Sequence, residues 1–316
     1  MLSVLALNGP TASGKSTLAV DVALELARRG IPAEIVNADS MLVYRGMDIG
    51  TAKPAADERR GIPHHLIDIL DVTETASVAE FQRLARAAIA GCRARGVLPI
   101  VVGGSALYVR AILDEFEFPG TDPEVRARWD AELARLGPEA LHTVLAGRAP
   151  DVAAGILPGN GRRTVRALEV LDLTGGFRPI LPAWTYALEG VVQWGLELPR
   201  PELDARIERR VDAMWRAGFV DEVRGLIAGG LERGRTASRA LGYAQLLAHL
   251  RGEVTEAEAK DATIRGTRRF ARKQLGWFRR DQRILWRPAG TPGLAAEIAD
   301  ALALDPEQPA PDPERP

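Results

Sequence analysis

A run near the start of the chain has the composition and spacing of a phosphate-binding loop. It reads Gly9, Pro10, Thr11, Ala12, Ser13, Gly14, Lys15 and Ser16, which matches the pattern G-x-x-x-x-G-K-[ST]. The glycines let the backbone curl around a phosphate, while Lys15 supplies a cation and Ser16 a hydroxyl for Mg²⁺. The run lies between a predicted strand and a predicted helix, so we favour this interpretation over a glycine turn that binds nothing. It predicts a diphosphate site and leaves the rest of the ligand open.

An acidic residue, Asp39, follows the predicted strand Ala33–Ala38. The carboxyl ends of parallel strands line the crevice where ligands bind, so we expect Asp39 to face the phosphate loop. There it is a candidate general base, or an acid that holds Mg²⁺ through water. The alternative is a helix cap or a surface acid. The glycine-rich loop Tyr44–Pro54 follows, and loops of this kind tend to carry function.

A pair of glycines and a serine follow the third predicted strand, Val97–Val102. Gly103 and Gly104 would let the backbone approach a ligand closely, and Ser105 would supply a hydroxyl. A tight strand-to-helix turn explains the same residues equally well.

Basic residues are concentrated near the C-terminus and are interleaved with aromatic ones. The basic residues are Arg265, Arg268, Arg269, Arg272, Lys273, Arg279, Arg280, Arg283 and Arg287. Arginines contact phosphates, and Phe270, Trp277 and Phe278 could stack on unpaired bases, which points to RNA. The alternative is a solvated helix with its aromatic residues packed inward. A second cluster at 162–166 suggests a groove built from two domains.

The elements that must position these residues alternate between strands and helices. Residues 2–110 predict a β-α-β-loop-α-β order, which indicates an α/β fold with a parallel sheet. From about residue 119 the pattern becomes helical, and strand signal returns at Val191–Leu198. We predict a P-loop core at 1–118, a helical insertion domain at 119–190, a core continuation with basic helices at 191–290 and a mostly disordered tail at 291–316.

Composition excludes several classes of protein. The chain has 316 residues, 46% of them hydrophobic, and its net charge is −1, which is typical of a globular protein. The longest apolar runs, Leu2–Leu7 and Val97–Val102, are far shorter than a membrane span. With one cysteine and four histidines, we expect neither disulfides nor a histidine or cysteine metal centre. We expect a cytoplasmic protein without a signal peptide.

Several ordered blocks resemble the bacterial tRNA dimethylallyltransferases, also called tRNA isopentenyltransferases. The resemblance spans about residues 4 to 287. Besides the phosphate loop and Asp39-Ser40, its blocks are the runs at 43–54, 63–68, 103–105, 166–169, 242–243 and 272–279. The resemblance implies a P-loop NTPase-like core. It also implies transfer of a dimethylallyl group from dimethylallyl diphosphate to N6 of adenosine 37, in tRNAs that read codons beginning with U.

The resemblance also implies roles for individual residues. Asp39, Lys15 and Ser105 would be catalytic: Asp39 accepts the proton of the N6 amine, while Lys15 and Mg²⁺ at Ser16 neutralise the leaving diphosphate. Adenosine 37 would be extruded into a channel between the domains. The implied tRNA contacts are Asp39, Ser40, Met41, Leu42, Ser105, Arg126, Arg162, Arg163, Arg166, Arg239, Gly242, Tyr243, Arg272, Lys273, Gln274, Trp277 and Arg279. For Arg126, a surface salt bridge is an equal alternative. The expected partner is the anticodon stem-loop, and the expected state is a monomer.

Two other functions share the same loop. A P-loop nucleoside or small-molecule kinase would also carry an acid after the second strand, and it would add an arginine-rich lid. An RNA-binding P-loop ATPase should show an unbroken apolar strand running into an acid, whereas Asn37 interrupts Ile35–Asp39. We rank both below the transferase.

Overall fold

A computed structural model describes residues 3–116, 118–176 and 183–303 of the chain. The fold is α/β, as predicted. The strands are β1 (Val4–Asn8), β2 (Ala33–Asn37), β3 (His64–His65), β4 (Leu98–Val102), β5 (Val191–Glu197) and β6 (Ile284–Pro288). They form one parallel six-stranded sheet in the order β3-β2-β4-β1-β5-β6.

The helices follow the predicted alternation and then dominate the second half of the chain. They are α1 (Lys15–Arg28), α2 (Val78–Ala94), α3 (Ala106–Leu113), α4 (Pro123–Leu136), α5 (Pro138–Arg148), α6 (Pro150–Ala154), α7 (Gly161–Thr174), α8 (Arg200–Arg216), α9 (Phe219–Ala228), α10 (Tyr243–Leu250), α11 (Glu256–Phe278) and α12 (Leu294–Ala303). Two 3₁₀ turns, Leu231–Arg233 and Ala237–Arg239, lie between α9 and α10.

The sheet has a hydrophobic core on each face, because successive side chains of a strand point to opposite sides. In β1, Val4 and Ala6 belong to one core, and Leu5 and Leu7 belong to the other. Strands β1, β2, β4 and β5 are therefore mostly apolar, which explains why the sequence predicted them well. Their carboxyl ends deliver the phosphate loop, Asp39 and the Gly103–Ser105 turn to one edge of the sheet.

The chain divides into two compact units. One contains Met1–Asp114 with Tyr186–Pro316, and the other is Glu115–Thr185. The second unit contains α4 to α7 around its own core, which includes Leu141, Leu145 and Leu168. The predicted division of the chain into domains, with a helical insertion at 119–190, stays a prediction.

The prediction of a mostly disordered tail from residue 291 is wrong for its first part. Leu294–Ala303 forms α12, which buries Leu294 and Ile298 in the core beside α1. The sequence prediction also missed β6, which pairs in parallel with β5. Both elements are short, and tertiary packing rather than local pattern stabilises them. The rest of the predicted tail, 304–316, lies outside the described residues.

Candidate active site

The phosphate loop connects β1 to the N-terminus of α1, as its sequence pattern requires. Gly14 caps the helix with a φ of 92°, and Ala12 has a φ of 63°, so the loop curls before the helix begins. Lys15 is buried, and its Nζ donates a hydrogen bond to the Pro10 carbonyl oxygen at 2.6 Å. The loop therefore presents a helix N-terminus and an ammonium group together, which is the arrangement that favours an anion.

Lys15 has an unusual protonation equilibrium. Burial lowers its pKa to about 7, Asp39 opposes this shift, and the nearby cation Arg210 adds to it. Three charged side chains thus interact in one place: Lys15 and Asp39, which the sequence analysis selected, and Arg210, which it did not.

These three residues line a cavity of about 400 Å³. Its wall also contains Ser16 of the phosphate loop and Gln274 of α11. The cavity is bordered by cationic groups, a hydroxyl and a helix N-terminus. It is chemically suited to a phosphate group rather than to a purely apolar ligand.

The side chain of Asn37 fixes the backbone on which Asp39 is carried. Asn37 Oδ1 accepts a hydrogen bond from the Asp39 N–H at 2.8 Å, and Asn37 Nδ2 donates to the Asp39 carbonyl oxygen at 2.9 Å. Asp39 Oδ1 in turn accepts from the Met41 N–H at 2.9 Å. Asp39 is therefore held in a tight turn and is not a helix cap or a surface acid.

A second cavity, of about 350 Å³, lies beside the first. Apolar residues form much of its wall, among them Ile207, Val211, Met214 and Phe219. Ser105 lines it too, together with Ser40, Met41 and the exposed Arg239. This mixture suits a flat or aliphatic group that is approached by a few polar contacts.

Four residues border both cavities: Thr11, Asp39, Thr51 and Arg210. The boundary between the polar cavity and the apolar cavity therefore carries a carboxylate and a guanidinium. A carboxylate in this place can take a proton from a group in one cavity while a bond breaks in the other.

Arg210 is the main site residue that the sequence analysis missed. It lies on α8, where Ile207 and Val211 are buried, and its Nη2 donates to the Thr51 carbonyl oxygen at 3.2 Å. Burial lowers its pKa, and Asp39 and Glu58 oppose this effect. The available signal was an arginine beside the apolar stripe of an amphipathic helix, where a charged group requires a partner or a ligand.

The glycine pair after β4 is explained by close packing. A Cβ on Gly103 would lie 2.5 Å from the Ala38 carbonyl oxygen, and one on Gly104 would lie 2.5 Å from Gln274 Nε2. The tight turn that was one of two alternatives is therefore present, and both glycines still line the first cavity. Ser105 begins α3 as its N-cap residue but makes no capping hydrogen bond with its side chain.

Two of the residues predicted to contact tRNA have buried side chains. Tyr243 is completely buried and donates its hydroxyl to Glu222 at 2.6 Å. Gln274 accepts from the Thr11 N–H and donates to the Gly104 carbonyl oxygen. Both side chains organise the protein interior, and each also lines a cavity, Gln274 the first and Tyr243 the second. A direct tRNA contact stays a prediction for both residues. Gly242 is buried beside the Phe219 ring, with which any Cβ would collide at 2.6 Å.

The basic segment from Arg265 to Arg287, which includes most of α11 and extends into β6, is partly neutralised by acids of the protein itself. Arg268 pairs with Glu208, Arg283 with Asp114 and Asp281, and Arg287 with Glu297. Arg279 remains exposed and lies 3.4 Å from Glu197. Among the described residues, the exposed cations of α11 without an ion pair are Arg269, Arg272 and Lys273.

Aromatic side chains of the same helix divide between core and surface. Phe278 is buried, whereas Phe270 is 41% exposed and Trp277 is 38% exposed. Arg280 stacks over the Trp277 ring at 5.1 Å. The alternative in which all the aromatic residues pack inward is therefore wrong, because Phe270 and Trp277 are partly exposed beside the unpaired cations of α11.

The helical unit has its own arginine cluster. Arg126 and Arg166 both bind the buried carboxylate of Glu169, at 2.8 and 2.9 Å. The salt-bridge alternative for Arg126 is thus observed. Arg162 and Arg163 are exposed in the first turn of α7, which Asn160 caps through the Arg163 N–H. They are the two arginines of this cluster that face solvent.

Oxygen donors for a metal ion are present in the first cavity. The Ser16 side chain is exposed in the first turn of α1, and both Ser16 and the Asp39 carboxylate line the cavity wall. Mg²⁺ prefers oxygen ligands and is usually bound by one or two protein groups together with phosphates and water. These residues fit such an ion.

A different group of potential metal ligands has a structural explanation. Glu34, His65 and Cys92 lie within 4.8 Å of one another. Glu34 also pairs with Arg95 at 2.5 Å, so its charge is already balanced. His65 belongs to β3, and its bond to Glu34 helps hold β3 beside β2.

The chain is similar to the proteins of one known family. A model of the IPP transferase family matches residues 42–281. The chain belongs to this family. A tRNA dimethylallyltransferase of Thermobifida fusca is 60% identical over 295 residues, which cover 93% of this chain and 92% of that protein. One of Kineococcus radiotolerans is 63% identical over 288 residues, 90% of each chain.

A solved structure shares the architecture. The crystal structure of the full-length tRNA isopentenylpyrophosphate transferase from Bacillus halodurans matches with a TM-score of 0.70 and 39% identity, and covers 96% of both chains. Membership of the IPP transferase family thus confirms the resemblance drawn from the sequence motifs. None of the helices in the described part of the chain is long and apolar enough to cross a membrane.

Proposed function

We propose that this chain transfers a dimethylallyl group from dimethylallyl diphosphate to N6 of adenosine 37 in tRNAs that read codons beginning with U. The observation that carries the proposal is the boundary between the two cavities, which Thr11, Asp39, Thr51 and Arg210 share. A group transfer needs a donor and an acceptor held on either side of such a boundary. The names of the relatives support the same activity and do not favour the kinase alternative.

The first cavity would hold the diphosphate of the donor. The N–H groups at the N-terminus of α1, together with Lys15 and Arg210, would stabilise the negative charge that develops as the allylic C–O bond breaks. Ser16 would hold Mg²⁺, which supplies further neutralisation of that charge. The bonding electrons of the C–O bond leave with the diphosphate oxygen.

The second cavity would receive the adenine base. An adenosine stacked in an anticodon loop must leave its stack to enter a pocket, and the apolar wall near Ile207 and Met214 would replace that stacking. The N6 nitrogen forms the new bond to the allylic carbon, and Asp39 accepts the proton that it loses. Ser105 would orient the base through its hydroxyl.

The exposed cations would bind the RNA backbone. Arg239, Arg272, Lys273 and Arg279 in one unit, and Arg162 and Arg163 in the other, are exposed. Phe270 and Trp277 offer rings for unpaired bases. We propose the anticodon stem-loop as the bound part, with Ser40, Met41 and Leu42 near the reacting base. We also propose a monomer that acts in the cytoplasm.

A labelled transfer assay tests this function. Labelled dimethylallyl diphosphate is incubated with Mg²⁺ and an anticodon stem-loop with adenosine at 36, 37 and 38, beside a parallel reaction with γ-labelled ATP and an Asp39→Ala control. We expect label on the RNA only when adenosine 37 is present, and its loss in the variant. Transfer from ATP to a small acceptor, with the isoprenoid intact, would replace our proposal with a kinase.

A further inference from the structure

Glu222 holds a loop of the active site through an unusually complete set of hydrogen bonds. Its Oε2 accepts from the N–H groups of Asp48 and Ile49, at 3.0 and 2.6 Å. Its Oε1 accepts from the Gly50 N–H at 3.2 Å and from the Tyr243 hydroxyl at 2.6 Å. Three consecutive backbone N–H groups thus surround one carboxylate, which fixes the course of the loop.

The aromatic rings behind this carboxylate leave no room for a side chain at position 50. A Cβ on Gly50 would lie 2.2 Å from the Phe219 ring and 2.6 Å from the Tyr243 ring. The two rings pack edge to face at 4.9 Å. Burial and the neighbouring Glu222 carboxylate raise the pKa of Tyr243 far above its usual range, so the phenol remains a hydrogen-bond donor.

The loop leads directly to the cation at the boundary of the cavities. Thr51 follows Gly50, and its carbonyl oxygen accepts the hydrogen bond from Arg210 Nη2 at 3.2 Å. Thr51 Oγ1 donates to the Met47 carbonyl oxygen at 2.6 Å, which further restrains Thr51. Both Thr51 and Arg210 border the two cavities. Glu222 is absent from the residues that line either cavity, whereas Tyr243 lines the second one.

We propose that Glu222 and Tyr243 are positioning residues, which set the Thr51 carbonyl so that Arg210 is held against the diphosphate. This inference rests on the proposed function, because it assigns the supporting contacts of the same site. Glu222 acts through Arg210, so removing its charge should matter only while Arg210 is present. A residue with a merely structural role would lower activity equally in both backgrounds.

A double-mutant cycle tests this dependence. The four proteins are the wild type, Glu222→Gln, Arg210→Gln and the double variant, with Asp221→Asn as the matched control. Asp221 precedes Glu222 on α9, is largely exposed and pairs with Arg224. Thermal unfolding first establishes that each variant is folded. Tyr243→Phe serves as a second, milder variant if Glu222→Gln does not fold.

The expected result is a selective effect on the donor substrate. In Glu222→Gln, the KM for dimethylallyl diphosphate should rise by about tenfold, while the KM for tRNA stays within about twofold of the wild type. In the Arg210→Gln background, the same substitution should cost less than about twofold. Asp221→Asn should behave as the wild type. Equal losses in both backgrounds, or an effect confined to the KM for tRNA, would overturn the proposal.

A binding measurement separates this inference from the proposed function. Calorimetry with inorganic diphosphate and Mg²⁺ is performed on the same proteins and needs no transfer reaction. If the wild type transfers no prenyl group but Glu222→Gln weakens diphosphate binding only when Arg210 is present, the function is wrong and the positioning role stands. If the wild type transfers the group and Glu222→Gln binds diphosphate as Asp221→Asn does, the positioning role is wrong.

Discussion

The side chain of Gln274 joins the basic helix to the phosphate loop, because its Oε1 accepts a hydrogen bond from the Thr11 N–H at 2.9 Å. Its Nε2 donates to the Gly104 carbonyl oxygen at 2.7 Å. One buried amide therefore connects two loops that follow different strands. It also links α11, which carries the surface proposed to bind tRNA, directly to the loop proposed to bind diphosphate.

Removal of this amide should weaken the binding of the donor substrate. Gln274→Ala leaves the Thr11 N–H without its acceptor and loosens the curl of the loop, so the KM for dimethylallyl diphosphate should rise by about three- to tenfold. Steady-state kinetics with each substrate varied in turn measures the effect. Lys273→Ala, at the next and exposed position of α11, should leave that KM unchanged. An equal change in both variants would show that the amide has no special role.

Diphosphate binding should depend on pH through Lys15. The pKa of Lys15 is about 7, so this side chain loses its proton as the pH rises through neutrality. An anion prefers the protonated form, hence binding must restore the proton, and affinity should fall as the pH rises above about 7. Calorimetry in two buffers of different ionisation enthalpy should record proton uptake at about pH 8.

An arginine at the same position provides the control for this titration. The guanidinium of Lys15→Arg stays charged over the whole range, so the part of the proton uptake that belongs to Lys15 should disappear. Any proton exchanged by diphosphate itself on binding is common to both proteins and cancels in the difference. Identical uptake by the wild type and Lys15→Arg would refute the assignment of the titration to Lys15.

The unpaired cations of α11 should contribute to RNA binding through electrostatics. Arg272→Ala combined with Lys273→Ala should weaken tRNA binding by about tenfold and reduce the slope of log K against log salt by about one to two. Filter binding at several salt concentrations gives both quantities. Arg83→Ala, at an exposed arginine of α2 that pairs with Glu80, is the control. An unchanged slope of log K against log salt in the double variant would show that this surface does not bind the RNA backbone.

Local patterns were sufficient to predict the phosphate loop and the position of Asp39. The loop depends on consecutive residues between one strand and one helix, and Asp39 follows the largely buried strand β2. Such features are decided within a few residues, and their geometry follows from the connection itself. The exposed basic residues of α11 were also identified from the sequence.

Residues that act through long-range contacts were harder to recognise. Gln274 and Tyr243 lie in motifs that the family resemblance assigned to tRNA, yet their partners are Thr11 and Glu222, which are distant in sequence. Arg210 lies in a helix with many charged residues, and only the fold brings it beside Lys15. The pairing of Arg268 and Arg287 with acids could not be predicted from the sequence either, since the acids come from other elements.

The central claim is that Asp39 takes the proton of the acceptor at the boundary of the two cavities. The most direct test is single-turnover transfer by the wild type and Asp39→Asn, with diphosphate affinity measured on the same proteins. The asparagine keeps the carbonyl oxygen that accepts from the Met41 N–H, so the turn should survive. We predict a loss of about a hundredfold or more in the transfer rate, with diphosphate affinity within about threefold of the wild type. Transfer by Asp39→Asn at the wild-type rate would contradict the account.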